Sequence, residues 1–303
     1  MEHKMITILG TTATGKTSLG AQLAALIGGE IISADSRQVY REMDLGTGKD
    51  LQDFIVNGVE IPYHLIDIVD PGYEFNVYEY QQYFYEAYKT VVNNKNIPIL
   101  VGGTGMYIES VLKEYRMAKV NRNEALRLRL AGKSDEDLIE ILLNNRVLHN
   151  TTDTTDRERI LRAIEIDEYY REHPELLQDI PKIKSINFGI RFDRAEIRNR
   201  ITERLDQRLN NGMLDEVQRL LDKGVSAEML KFYGLEYKFM TQHLLGEIEF
   251  NEMFTLLNTA IHQFAKRQET WWRRMEKNGT RIHWLDGNIS DQEKIGLILG
   301  KLK

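Results

Sequence analysis

The sequence predicts an α/β fold: a mostly parallel sheet flanked by helices, interrupted by an all-helical insertion. Three observations carry that reading. Met5 to Leu9 is a short apolar run leading through a Gly-rich turn into an amphipathic segment, in the order strand, turn, helix. Ile97 to Val101 is apolar throughout, as are strands buried on both faces of a parallel sheet. From about Lys119 to about Ile186 strand signals vanish and helical periodicity takes over. The chain therefore divides into a first core part (1–118), a helical insertion (119–185), and a second core part (186–303), mostly helical with a C-terminal strand.

The turn after the first strand reads Gly10, Thr11, Thr12, Ala13, Thr14, Gly15, Lys16, Thr17. Its spacing matches the phosphate-loop pattern of Gly, four residues, then Gly-Lys-Ser/Thr, which makes the core P-loop NTPase-like. The glycines let the backbone curl so that successive N–H groups point at one anion. The helix read over Ser18 to Ile27 aims its positive end at the same point, with Leu19, Leu23, Leu26 and Ile27 on one side. Lys16 adds a mobile cation, and the Thr17 hydroxyl is placed to ligate Mg²⁺. The pattern predicts phosphate or diphosphate binding without naming the compound.

Glu30 to Ala34 reads as the next strand and delivers Asp35, Ser36, Arg37 and Gln38 to the mouth of the sheet, where ligands bind. Asp35 there suits a general base, a Mg²⁺ partner or a helix cap. A polar Gly-rich stretch, Met43 to Asp50, follows, and Tyr63 to Val69 reads as a strand. Val77 to Asn94 is a Tyr-rich helix whose rings suit packing better than base stacking. After Val101 comes a second Gly-rich turn, Gly102-Gly103-Thr104-Gly105, in which the Thr104 hydroxyl would reach a phosphate held by the first. Many P-loop enzymes place a Mg²⁺-binding carboxylate after such a strand; this chain does not.

Within the insertion, helices are predicted over Asn123 to Leu130, Ser134 to Asn144 and Asp156 to His173, the middle one with Ser134 and Asp137 spaced as a capping box. Arg159 and Arg162 share a helix face. Beyond it, Phe188 to Phe192 reads as a strand, and a helix starts at Asp193. Ile197, Ile201, Leu205 and Leu209 form its inner stripe, and Arg200, Arg204 and Arg208 form a second row at the same spacing. That row reads either as a solvated face or as an anion clamp. Asn251 to Lys277 is one long helix presenting Gln263, Lys266, Arg267, Thr270, Arg273 and Arg274 on one side, and Arg281 to Leu285 is the last strand.

At 303 residues, 42% hydrophobic and 28% charged, the chain suits a packed soluble protein. It contains no cysteine, which excludes disulfides and thiolate metal sites. Met1 to Lys4 lead directly into the first strand with no signal-peptide pattern, and no apolar run approaches a membrane span; a cytoplasmic protein without membrane contact is expected. The net charge of −6 argues weakly against nucleic acid, although local basic faces count for more than the sum.

Taken together, these residues resemble the tRNA dimethylallyltransferase (tRNA isopentenyltransferase) family along nearly the whole chain. The loop Gly10 to Thr17 is shared by many families. More specific are Asp35-Ser36-Arg37-Gln38-Val39-Tyr40 with Met43-Asp44 and Gly46-Thr47-Gly48-Lys49, then Asp67-Ile68, Asp70-Pro71, Gly102 to Gly105 with Tyr107. Asp156 with Arg159 to Ala163, the Arg200 to Val217 segment, and Gln263 with Ala265-Lys266-Arg267-Gln268 and Trp271 complete the likeness. Tyr233-Gly234-Leu235-Glu236-Tyr237 departs from the family's more usual Ile-Gly-Tyr-Lys-Glu, and His262 stands where an Arg is common.

The resemblance implies transfer of a dimethylallyl group from dimethylallyl diphosphate to the exocyclic amine of the adenosine 3′ of a tRNA anticodon, with Mg²⁺. It implies catalytic roles for Asp35, Thr104 and Lys16. It places tRNA contacts at Asp35, Ser36, Arg37 and Gln38; at Thr104 and Arg127; at Glu158, Arg159, Ile160, Leu161 and Arg162; and at Gln263, Phe264, Ala265, Lys266, Arg267 and Gln268. The insertion would grip one side of the anticodon stem-loop and the core the other, and a monomer is expected. A departing diphosphate needs preorganised donors worth roughly 3–4 kcal/mol each. The adenine amine must lose a proton as it attacks, for which Asp35 is the candidate acceptor, and the base must first be flipped out of its stack. The rivals are a P-loop small-molecule kinase, an adenylate isopentenyltransferase acting on a free nucleotide, and a non-catalytic RNA-binding protein.

Overall fold

The computed structural model describes residues 5–145, 156–177 and 180–302; the reading of Met1 to Lys4 lies outside them. The chain forms two compact units, Met1–Lys113 with Lys182–Lys303, and Glu114–Pro181.

The larger unit is built on six parallel strands in the order β5-β2-β6-β1-β7-β8. The strands are β1 (Met5–Gly10), β2 (Gly29–Ala34), β5 (Tyr63–His64), β6 (Ile97–Gly102), β7 (Ser185–Arg191) and β8 (Ile282–Asp286), while β3 (Ile55–Val56) and β4 (Val59–Glu60) form a separate antiparallel pair. Every residue of β1 and β2 is buried, which explains their mostly apolar character; the polar exceptions Thr7, Glu30 and Ser33 bond Ser185, Asn96 and Gln38. Helices α1 (Lys16–Ile27), α2 (Val77–Asn93), α3 (Gly105–Leu112) and α12 (Asp291–Leu302) belong to this unit, as do α7 (Arg194–Asn210), α8 (Met213–Asp222), α9 (Ala227–Phe232), α10 (Leu235–Leu244) and α11 (Phe250–Lys277). Two cores result. Ile8, Leu19, Leu23, Ile31, Ile99 and Phe188 pack between the sheet and α1 and α12. Tyr40, Met43, Ile201, Leu205, Tyr237 and Leu257 pack among the C-terminal helices.

The smaller unit holds α4 (Glu124–Leu130), α5 (Asp135–Asn145) and α6 (Arg157–Glu172) around Leu126, Leu130, Leu138, Leu142, Ile160 and Ile164. Ser134 and Asp137 cap each other's backbone N–H groups at 3.2 and 3.1 Å, the reciprocal pair read from their spacing.

Two expectations are corrected. Leu26 is 65% exposed, because α1 meets the sheet through Leu19, Gly20, Leu23 and Ala24 instead. The strand read over Tyr63 to Val69 lasts two residues, since Leu65 and Asp67 take left-handed backbone (φ 65° and 55°) that no strand continues through; Val69 returns only as an isolated bridge to Tyr40. The Tyr-rich helix behaves as a packing face: Tyr80 is fully buried and stacks on Tyr107 with ring centroids 3.9 Å apart.

Candidate active site

In a parallel sheet the strand ends that share one edge are brought together by pairing alone. β2 pairs with β6 up to Ala34 and Gly102, and β6 with β1 up to Gly102 and Leu9. The three following loops, with Gly10 to Gly15, Asp35 to Gln38 and Gly103–Thr104, therefore lie side by side. The fit is tight: a Cβ on Gly102 would stand 2.3 Å from the Ala34 carbonyl oxygen, so only glycine lets β2 and β6 end together.

The first loop curls through Ala13 and Gly15, both left-handed at φ 61° and 77°. Nothing in the loop's spacing announces a left-handed alanine at position 13. The Thr14 hydroxyl donates to the Thr11 carbonyl at 2.9 Å, and the Lys16 ammonium donates to the same oxygen at 2.6 Å. Enclosure in the loop, followed by repulsion from Arg204, brings the Lys16 pKa down to about 8, against a smaller upward pull from Asp35. Thr17 lies in the first turn of α1.

Asp35 is half-buried, and its Oδ1 accepts the Arg37 backbone N–H at 2.9 Å. A capping role is thus present. The Thr104 hydroxyl accepts the Ser36 backbone N–H at 3.0 Å, and its own hydrogen has only a 3.4 Å contact with Ser36 Oγ. Gln38 is buried: its amide accepts from Ser33 Oγ at 3.1 Å and donates to the Gly48 carbonyl at 3.0 Å.

Helix α11 supplies the brace. Gln268, 7% exposed, accepts the Thr12 N–H at 2.9 Å and donates to the Gly103 carbonyl at 2.8 Å, joining the first loop to the third. Along α11, Gln263, Phe264, Lys266 and Arg267 are exposed while Ala265 is in the core. The arginine row of α7 faces the loops rather than solvent. Arg200 Nε donates to the Ala13 carbonyl at 2.9 Å, and Arg204 and Arg208 both hold Asp50. Burial and the neighbouring Arg204 lower the Arg208 pKa, while burial raises that of Glu236, which shares a small cavity with Arg208, Arg204 and Thr12.

The Gly-rich stretch is anchored from below. Lys49 is fully buried, donates to the Tyr40 carbonyl at 2.7 Å and pairs with Asp44 at 2.6 Å and with Asp67. Glu216 accepts the backbone N–H groups of Asp44, Leu45 and Gly46 at 2.8, 2.7 and 3.0 Å, and the Tyr237 hydroxyl at 2.6 Å. Glu216 falls in the Arg200 to Val217 segment of the family likeness, but its spacing did not reveal this anchoring role.

The remaining candidates lie in the helical unit. Arg127 is buried and grips Glu165 at 2.5 Å and Glu158 at 2.6 Å; the Glu165 contact is the largest cause raising its pKa. Burial opposes ionisation of Glu165, but bonds from Arg127 and Arg162 hold its carboxyl below the usual range. Arg162 donates to Glu165 at 3.0 Å and to the Val120 carbonyl at 2.7 Å. Arg159 pairs with Asp156 at 3.1 Å, and Ile160 and Leu161 are core residues.

A parallel α/β sheet whose strand-end loops form a phosphate cradle, with a carboxylate and a hydroxyl beside it, defines a P-loop-type group-transfer site. The family is set by comparison: residues 38–275 match the model described as IPP transferase, and the chain belongs to that family. It is 53% identical over 302 residues to a tRNA dimethylallyltransferase 2 of Bacteroides fragilis, covering 100% of this chain and 99% of that one. It is 56% identical over 288 residues to a tRNA dimethylallyltransferase 1 of Geotalea daltonii, covering 95% and 92%. Among solved structures, the full-length tRNA isopentenylpyrophosphate transferase of Bacillus halodurans is similar with a TM-score of 0.71 at 28% identity, covering 99% of this chain and 95% of that one.

Proposed function

We propose that this protein transfers a dimethylallyl group from dimethylallyl diphosphate to the exocyclic amine of the adenosine 3′-adjacent to a tRNA anticodon, releasing diphosphate. The convergence of three strand-end loops in one bonded cluster carries the reading: an anion cradle, Asp35 and Thr104 stand together at the sheet mouth.

In that reading the loop N–H groups and the start of α1 hold the diphosphate, with Lys16 turning from the Thr11 carbonyl to it. The Thr104 hydroxyl hydrogen and the α7 arginines face the oxygen that gains charge when the allylic C–O bond breaks. Asp35 accepts the proton that the adenine amine loses on attacking the allyl carbon. Among the described residues no cluster of three or more His, Cys, Asp or Glu is set to hold a metal, and Thr17 is the hydroxyl donor at the loop. That donor set fits Mg²⁺ held mainly by water and substrate phosphate oxygens. The ion would neutralise diphosphate charge; the chain's part is to hold Thr17 in place.

For tRNA we assign direct contacts to the exposed groups Gln263, Phe264, Lys266 and Arg267, with Asp35, Ser36 and Arg37 at the reacting base. The buried Gln38, Ala265, Gln268, Ile160 and Leu161 act by holding those groups in place. In the helical unit we assign tRNA contacts to Arg127, Glu158 and Arg162, which Glu165 helps to join, and to Arg159, which pairs with Asp156. We read the protein as a cytoplasmic monomer. Among the described residues no helix is long and apolar enough to cross a membrane.

Incubation with tRNA, Mg²⁺ and dimethylallyl diphosphate should yield prenylated adenosine by mass spectrometry, with ATP and AMP run as alternative substrates. Prenylation of AMP alone, or phosphoryl transfer from ATP without prenyl transfer, overturns the proposal.

A further inference from the structure

A cleft of about 690 Å³ lies beside the loop cluster, lined by Thr11 of the first loop, by α11 and by the β7–α7 junction. Its floor is apolar, with Ile197, Ile201 and Ala265. Its walls are cationic. The β7–α7 side contributes Arg191, Arg194 and Arg198; the α11 side contributes Lys266 and Arg273. The single carboxylate in the cleft, Glu269, is held from both walls, by Arg191 at 3.1 Å and Arg273 at 3.3 Å, so it joins the walls instead of opposing an incoming anion. His262 ties them again, its Nε2 lying 3.2 Å from the Arg198 carbonyl oxygen. Arg194 and Arg198 are exposed in a protein whose net charge is −6, and an excess of cations gathered in one cleft of an acidic protein needs an anionic partner.

We propose that this cleft is a docking groove for the phosphodiester backbone of the RNA substrate, with Arg194 and Arg198 as the wall opposite Lys266. The inference rests on the RNA-acting reading above and extends it to the β7–α7 arginines. An extended ribose-phosphate strand matches both surfaces: its phosphates pair with guanidinium groups on the rim, and its sugars and bases cover the apolar floor. Because Thr11 of the first loop is among the residues lining the cleft, a strand lying in it passes beside the reacting centre. A soluble polyphosphate has the same anionic chemistry but leaves the floor uncovered.

The test is the double variant Arg194→Gln/Arg198→Gln in the full chain, measured for binding to an anticodon stem-loop RNA across a salt series and for the KM of dimethylallyl diphosphate at saturating RNA. We expect RNA affinity to fall at least tenfold and the salt slope to flatten by roughly 1.4–1.8, two phosphate contacts' worth, with the donor KM unchanged. Arg194→Lys/Arg198→Lys should restore most of the affinity, since charge and not fold is at issue. Unchanged affinity and slope overturn the proposal. A raised donor KM with RNA binding intact also overturns it and assigns the cleft to the diphosphate compound. Binding is read without turnover, so wild-type protein that binds the RNA through these arginines yet prenylates nothing sinks the proposed activity and leaves the groove standing.

Discussion

The Lys16 ammonium lies 2.6 Å from the carbonyl oxygen of Thr11, five residues earlier in the same loop. The cation that should meet a phosphate is thus held by its own backbone, and binding exchanges one oxygen partner for another. Enclosure and the nearby Arg204 favour the neutral amine, giving a pKa of about 8, whereas a bound diphosphate favours the ammonium. Affinity for dimethylallyl diphosphate should be level below pH 8. It should then fall by up to about tenfold per pH unit until the higher pKa of the complex is reached. Stability runs the other way. Between the folded value of about 8 and the unfolded 10.5 the unfolded lysine binds more protons, so this group adds stability as pH rises through that window. Titration calorimetry from pH 6 to 10 reads the affinity; a Lys16→Arg protein should lose the dependence, and a wild-type curve that stays flat to pH 10 counts against it.

Asp35 has two duties that substitution can separate. Its Oδ1 accepts the Arg37 N–H at 2.9 Å, a bond an asparagine retains. Asp35→Asn should therefore keep the turn and RNA binding while lowering single-turnover prenyl transfer by about 10²–10⁴-fold, as loss of a general base does. Asp35→Ala should lose the turn as well. A near-normal rate in the asparagine variant removes Asp35 from proton transfer.

Removing the Gln268 side chain leaves the Thr12 N–H and the Gly103 carbonyl without their partner, at about 1–3 kcal/mol each. Gln268→Ala should lower kcat/KM for the prenyl donor about tenfold to a hundredfold, with a smaller effect on RNA affinity. Gln268→Glu should be worse for the donor, because an acceptor then faces the Gly103 carbonyl and a negative charge is added beside the cradle. Equal kinetics for wild type and Gln268→Ala would remove the brace from the account.

Glu216→Ala strips three backbone N–H groups and the Tyr237 hydroxyl of a common acceptor inside the core. The expected loss is on the order of 3 kcal/mol or more. Urea unfolding reads it directly, and Glu216→Gln should recover part of it. A change below 1 kcal/mol contradicts the anchoring role.

Lys266→Ala with Arg267→Ala should weaken RNA binding evenly across sequences and reduce the salt slope by roughly one per lost contact. An undiminished slope in a filter-binding series excludes both side chains from phosphate contact.

Where the sequence was legible, one local signal decided the outcome. β1 and β6 are apolar because both faces are covered, and the Ser134–Asp137 spacing formed the reciprocal cap it resembles. The phosphate loop was legible for the same reason, since its spacing is its geometry. What stayed hidden depends on partners far along the chain. The Arg200, Arg204 and Arg208 row read equally well as a wet face until Ala13 and Asp50 were found against it. Glu216 resembles any surface acid, yet it satisfies a loop some 170 residues earlier in sequence. Leu65 and Asp67 break a strand in left-handed backbone without the glycine that would announce it. Gln268 belonged to a recognised motif, but its spacing could not reveal that both ends of its amide are spent on the two Gly-rich turns.

The strand order has a consequence for synthesis. β1 lies between β6 and β7, so the first strand to leave the ribosome waits for residues 97–102 on one side and 185–191 on the other. A nascent or truncated chain that stops before β7 carries a bare, largely apolar strand edge, which invites pairing with another chain. Fragments ending near residue 113 should aggregate, and refolding of the whole protein should be slow and concentration-sensitive until the seventh strand closes that edge.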